Sequence, residues 1–280
     1  MSAQNTLEPI AIWDFDGVLC DSLPECVAVT ALASRMVEES GRIFSPAEIK
    51  TLCRDDVLAP LYLKLSPLRP YIIRGQDYLW QYFHYETFKP QIGRGMSEYQ
   101  KVQAAIFSEA ENKTYEDIFY AARKQVAAAL GDDYGKFFRA YAGALDALRF
   151  SIAHCRTYIC TNRDQAGVSA LLDANDIWFP KARIYSKDFN GLEPNARSSK
   201  TEQAFWLLER EGGRDQTLLF VEDQVKTPAE MAPYCPGLRT IYASYGYGLR
   251  NDWAEAKLPH CRQVARADQL LPTLKETLSR

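Results

Sequence analysis

Residues 10–22 read IAIWDFDGVLCDS. The first four are apolar without alternation, the pattern of a strand buried on both faces, and the run stops at Asp14-Phe15-Asp16-Gly17. In an extended chain, residues i and i+2 point the same way. Asp14 and Asp16 therefore crowd two carboxylates at the strand mouth, a cost that a cation or a shared proton would relieve. Gly17 lets the chain turn sharply just past them. Asp and Gly are also ordinary turn residues, so the meaning of the motif depends on the rest of the chain.

Short apolar runs recur at 157–160, 183–185, 217–221 and 238–242, with helical patterns at 165–175, 200–211 and 228–234. Strands alternating with helices predict a parallel sheet covered on both faces. The first run belongs to the same sheet, because a lone strand beside helices would leave its backbone groups without partners. Between these parts, residues 24–148 carry helical patterns at 25–39, 46–53, 78–88, 97–109 and 115–130 and no strand pattern. The expectation is an α/β core domain formed by residues 1–22 and 149–280, interrupted by an inserted all-helical domain over 23–148.

Three of the strands end alike: the first in Asp14 and Asp16, the second in Thr161, Asn162 and Arg163, and a later one in Glu222 and Asp223. Open parallel sheets bind ligands outside the carboxyl ends of their strands, where these groups would gather. Lys200 follows the loop NARSS and opens the helix KTEQAFWLL, which brings an ammonium to the same edge. Carboxylates, a hydroxyl and a lysine suit a hard divalent cation and an anionic substrate, most simply Mg²⁺ and a phosphate.

On these residues the chain resembles the haloacid dehalogenase superfamily, specifically its phosphoglycolate-phosphatase-like members with a helical cap. The family motifs fall in order as DFDGV (14–18), ICTN (159–162), Lys200 and FVED (220–223). YASYGYG (242–248) and RADQLLPTL (266–274) extend the likeness through the last core strand and closing helix. The inserted helices carry almost none of it. The resemblance implies a Rossmann-like core with Asp14 as nucleophile, Asp16 as general acid and base, and Thr161 and Lys200 as phosphoryl-binding groups. Asn162 and Arg163 would contact substrate, and Asp14, Asp16 (through its carbonyl), Asp223 and Glu222 would hold Mg²⁺. Dehalogenases of the superfamily lack the second carboxylate and phosphatases and mutases carry it, so Asp16 argues against dehalogenation. The anionic neighbours of Asp16 would raise its pKa toward the acid role. Many relatives carry another Asp where this chain has Thr227, and Glu222 is the candidate to compensate.

The activity expected is a Mg²⁺-dependent phosphatase that hydrolyses a small phosphorylated metabolite through an aspartyl-phosphate. A phosphomutase of the same fold and a non-catalytic phosphate-binding protein are the alternatives. The net charge of −3 gives no electrostatic footprint for nucleic acid or an anionic membrane. Seven scattered cysteines without a CxxC pair fit a reducing compartment. The start MSAQNTLEP lacks a leader pattern, so the expected location is cytoplasmic. Among other features, the aromatic stretch 78–88 with His84 reads as helical-domain core. Arg69 and Arg74 are weaker candidates for a substrate anion. Lys187, before the Asn190-Gly191 turn, competes with Lys200 for the lysine role.

Overall fold

The run Ile10–Trp13 forms a strand, β1, with all four residues buried. The computed structural model describes residues 8–40, 42–188, 199–211 and 218–279. The Asn190-Gly191 turn, most of the NARSS loop and Thr217 lie outside the described residues. Contacts divide the chain into two compact units, Met1–Asp21 with Ala140–Arg280, and Ser22–Arg139.

In the first unit, β1 is joined by β2 (Arg156–Cys160), β3 (Ile184–Tyr185), β4 (Leu218–Glu222), β5 (Leu238–Ala243) and β6 (Cys261–Val264). They form a six-stranded sheet in the order β3-β2-β1-β4-β5-β6, and every pair is parallel. Register sets the functional edge. Trp13 is level with Ile159 on one side and with Val221 on the other, so Asp14 is level with the ends of both neighbouring strands. Alternation then sorts the side chains. Ile10, Ile12, Tyr158, Cys160, Leu218 and Phe220 pack in one cluster with Ala204, Leu207 and Leu208 of helix Lys200–Arg210. One step further along the same face come Asp14 and Glu222.

On the other face Trp13 donates from Nε1 to Ser151 Oγ at 3.0 Å. Ser151 lies in helix Ala142–His154, so this helix belongs to the first unit. The chain accordingly returns to that unit at Ala140 and not at residue 149 as the sequence suggests. Its helical pattern resembles that of the insertion, and only the packing against Trp13 distinguishes it.

Elements of the first unit with no counterpart among the sequence expectations include β6 and helix Arg250–Ala256. Strand β6 is an edge strand of mixed exposure whose Cys-Arg-Gln-Val lacks an apolar run. Helix Arg250–Ala256 is short, with Trp253 its buried anchor.

The second unit is helical, with Leu23–Glu38, Pro46–Leu52, Asp55–Leu65, Gly75–Phe83, Tyr85–Phe88, Met96–Ile106 and Glu109–Leu130. Asp55–Leu65 is missed in the sequence because Pro60 interrupts its pattern. The expected helix 78–88 is broken at His84. The aromatic stretch is core here, with Trp80 stacked on Phe107 and edge-on to Tyr115. Glu25, fully buried, accepts from Arg123 Nε and Tyr134 Oη, each at 2.9 Å. Arg69 is buried with its guanidinium over Tyr78. Among the described residues no helix is long and apolar enough to cross a membrane.

Candidate active site

Asp14 extends β1 by one step, its N–H donating to Val221 O at 2.9 Å. The sheet thereby fixes its backbone next to the end of β4. Helix Lys200–Arg210 begins with a capping box in which Ser199 Oγ accepts from the Glu202 N–H. Its first residue sends an ammonium to Asp14 Oδ1 at 2.7 Å and to Glu222 Oε2 at 2.5 Å. Lys187, the competing lysine, pairs with Asp188 at 3.7 Å.

Asp14, Glu222 and Asp223 are all buried, and each offers a carboxylate oxygen within 4.8 Å of the others. Burial, reinforced by the charge of Glu222, holds the Asp14 carboxyl well above the usual range, with Lys200 acting against it. Burial likewise raises Glu222. For Lys200 burial disfavours the charge, but Asp14 and Glu222 outweigh it and raise its pKa. Cys160, beneath Lys200, has its thiol pushed up to about 12 by burial and is not a nucleophile at neutral pH.

Glu222 also accepts, through Oε1, the backbone N–H groups of Asp223 and Gln224 at 3.1 Å each, which fixes its carboxylate toward Lys200. Thr227 brings no carboxylate to the cluster. Its hydroxyl accepts from that of Thr201 at 3.4 Å, beside Lys200 on the helix.

Asp16 is met by a different cation from the one that meets Asp14. It pairs with the buried guanidinium of Arg163 at 2.9 Å. Arg163 adds a cation that the sequence expectation for Asp16 did not include: the two aspartates of DFDG are each met by a cation, Lys200 for Asp14 and Arg163 for Asp16. Thr161 is buried, its Oγ1 accepting from the Arg163 N–H at 3.2 Å. Asn162 is exposed.

A feature the sequence reading did not single out as functional is the loop Tyr245-Gly246-Tyr247-Gly248. The Tyr247 N–H donates to Asp223 Oδ2 at 2.6 Å, and Trp253 Nε1 donates to the Asp223 carbonyl at 2.8 Å. Tyr245 Oη donates to Val18 O at 2.8 Å and Tyr247 Oη donates to Asp21. The loop therefore ties Asp223 to the chain segment that follows Asp16.

Gly17, Gly246 and Gly248 make this approach possible. Gly17 has φ +84°, and a Cβ there would lie 2.2 Å from Asp223 Oδ2. A Cβ at Gly248 would lie 1.7 Å from Asp223 O. Gly248→Ala is expected to cost at least ~2 kcal/mol, because backbone must move to admit the methyl. Chemical denaturation beside the wild type measures it, and an unchanged midpoint would show that the loop is not packed this way.

The donor set fits a hard divalent cation. It consists of carboxylate oxygens, and among Asp14, Glu222, Asp223 and Lys200 the negative charges exceed the positive by two when all are ionised. Asp14, Asp223 and Glu222 are the side chains that would hold it, with the Asp16 carbonyl as the further ligand implied by the family resemblance.

No family model matches the sequence, and no curated protein matches it. Solved structures do match in fold. A haloacid dehalogenase-like family hydrolase from Streptococcus pneumoniae aligns over 96% of this chain and 99% of its own, with TM-score 0.56 and 14% identity. A predicted phosphatase from Clostridium acetobutylicum aligns over 96% and 99%, with TM-score 0.59 and 13% identity. A predicted phosphoglycolate phosphatase from Haemophilus somnus aligns over 97% and 99%, with TM-score 0.54 and 17% identity. The chain is thus similar along nearly its whole length to these hydrolases and has the α/β fold of haloacid dehalogenase-like proteins.

Proposed function

We propose that the protein is a Mg²⁺-dependent phosphatase of small phosphorylated metabolites, working through an aspartyl-phosphate on Asp14. The observation that carries this reading is the buried cluster at the carboxyl edge of the sheet, where Lys200 bridges Asp14 and Glu222 beside Asp223. A carboxylate poised beside an ammonium in a buried acidic site is arranged to attack an electrophile whose own anionic oxygens need a cation.

In the first half-reaction an Asp14 oxygen bonds to phosphorus as the bond from phosphorus to the leaving oxygen breaks, and Asp16 passes its proton to that oxygen. In the second, Asp16 takes a proton from water, whose oxygen attacks phosphorus and releases the Asp14 carboxylate. Lys200 and the Thr161 hydroxyl hold phosphoryl oxygens as charge moves. A bound Mg²⁺ supplies charge neutralisation between the nucleophile and the phosphate. Asn162, exposed at the end of β2, is a further substrate contact.

The test is hydrolysis of p-nitrophenyl phosphate and a panel of phosphorylated metabolites, with Mg²⁺ and with a chelator. Release of inorganic phosphate that requires the metal is expected. A pure, folded sample that turns over none of the esters would overturn the reading, and product isomers without free phosphate would favour a mutase.

The ligands should rank as follows. Asp223→Ala removes a carboxylate donor, so activity falls by ~10²-fold or more and the Mg²⁺ concentration for half-activity rises. Glu222→Gln keeps one oxygen, which accepts from the two backbone N–H groups, and loses the oxygen that accepts from Lys200, but it leaves the Asp14 and Asp223 carboxylates in place, so its loss at saturating Mg²⁺ is smaller. Titration of activity with Mg²⁺ for both variants decides the order, and a more damaging Glu222→Gln would reverse the assignment.

A further inference from the structure

Arg163 stands at the end of β2, where the sequence suggests a contact with substrate, but its guanidinium is committed elsewhere. Nε and Nη2 each reach Asp16 Oδ1 at 2.9 Å, and Nε lies 3.2 Å from Oδ2. The Arg163 side chain is 2% exposed and that of Asp16 20%, so a buried cation holds a partly open carboxylate. Arg163 is itself firmly mounted. Its N–H donates to Thr161 Oγ1, and its carbonyl accepts from the Lys187 N–H at 3.0 Å. Its guanidinium lies 5.7 Å from the centre of the Phe15 ring. Its methylenes run past Gly167, where a Cβ would come within 3.2 Å of Arg163 Cδ. Asp16, by contrast, precedes the positive-φ Gly17 in a tight turn, and its backbone alone does not fix where the carboxyl points.

We propose that Arg163 is a positioning residue for Asp16, setting the orientation from which the proton is delivered to the leaving oxygen. A guanidinium is a rigid planar fork and restricts rotation of a carboxyl that two of its nitrogens grip. Nε and Nη2 hold Oδ1 at 2.9 Å and Nε also reaches Oδ2 at 3.2 Å, so one fork fixes both oxygens of the carboxyl. As the bond from phosphorus to the departing oxygen breaks and the bond to Asp14 forms, the proton moves from the Asp16 carboxyl to the departing oxygen. In the second step a proton from water returns to the same carboxyl. The proposal rests on the phosphatase reading above and goes beyond it by assigning Arg163 to the acid and not to the substrate.

The discriminating property is the leaving group. Expulsion of an alkoxide needs a proton, whereas p-nitrophenolate leaves without one. The experiment compares kcat/KM, which reports the step that expels the alcohol, for p-nitrophenyl phosphate and for an alkyl phosphate that the wild type hydrolyses. For Arg163→Met the alkyl ester is expected to lose ~10²-fold, the lower end of what general acid catalysis supplies. The aryl ester should lose at least ~10-fold less than the alkyl one. Arg163→Lys keeps the charge without the fork, should fall between, and takes the place of Arg163→Met if that variant does not fold. Equal losses on both esters would overturn the proposal and return Arg163 to substrate binding or to the fold. A wild type inactive on every ester would overturn the phosphatase reading, and this inference with it.

Discussion

Asp14→Asn is expected to abolish turnover, by on the order of 10⁴-fold or more, and to leave a protein more stable than the wild type at neutral pH without divalent metal. The first effect follows from chemistry, since the amide has nearly the same shape but no anionic oxygen to attack phosphorus. The second follows from electrostatics. Asp14 and Glu222 are raised chiefly by burial. A carboxyl whose pKa is higher in the folded than in the unfolded state contributes stability that is present below its unfolded value. That contribution is lost as pH rises through the folded value. At neutral pH, well above its unfolded value, Asp14 therefore carries a cost that the amide avoids. The gain should be about 1–2 kcal/mol, or ~2–4 °C in thermal midpoint for each kcal/mol, and should shrink as pH falls toward the ordinary carboxylate range. Melts at pH 5 and pH 8 in chelator, together with an activity assay, check both halves. An active variant would remove the covalent mechanism, and a variant less stable at pH 8 than the wild type would show that Lys200 more than offsets the burial of Asp14.

The other large effect is expected for Lys200→Met. The ammonium is the partner of both Asp14 and Glu222, and its removal leaves buried carboxylates without it. Breaking a buried pair from one side costs ~3–5 kcal/mol. Activity should fall by ~10³-fold, the scale of losing a donor that stabilises charge in the transition state. The sign with pH is again fixed. Without Lys200 the carboxyls rise further, so the destabilisation deepens as pH increases and eases in acid. Adding Glu222→Gln to Lys200→Met removes one of the stranded charges. The double variant should recover stability without recovering activity, and a double-mutant cycle from denaturant melts measures the coupling. Additive losses would mean that Lys200 and Glu222 are not the pair described.

The edge of the sheet was legible in the sequence because parallel strands buried on both faces write themselves as unbroken apolar runs. The polar residues that end such runs must lie at the carboxyl edge. Asp14, Thr161, Glu222 and Asp223 were placed there by that argument alone, and Lys200 by its position before a helix. Less could be said where the pattern was weak. Helix Asp55–Leu65 contains Pro60, and edge strand Cys261–Val264 has exposed and charged positions. Helix Ala142–His154 looks like the insertion it follows, and its place in the first unit depends on Trp13 and Ser151, which are far apart in sequence.

Sequence by itself determined which residue types reach the candidate site, because strand length, alternation and the residues that end each strand are local properties. It also fixed that two aspartates must share one strand mouth. Which cation meets which aspartate was decided only by the tertiary structure. Lys200 meets Asp14, and Arg163 meets Asp16 across 147 positions of chain, because strand register and helix placement set those distances and no local pattern encodes them. The same holds for the Tyr245–Gly248 loop on Asp223, where Gly17 and Gly248 matter for the space they leave to residues remote in sequence.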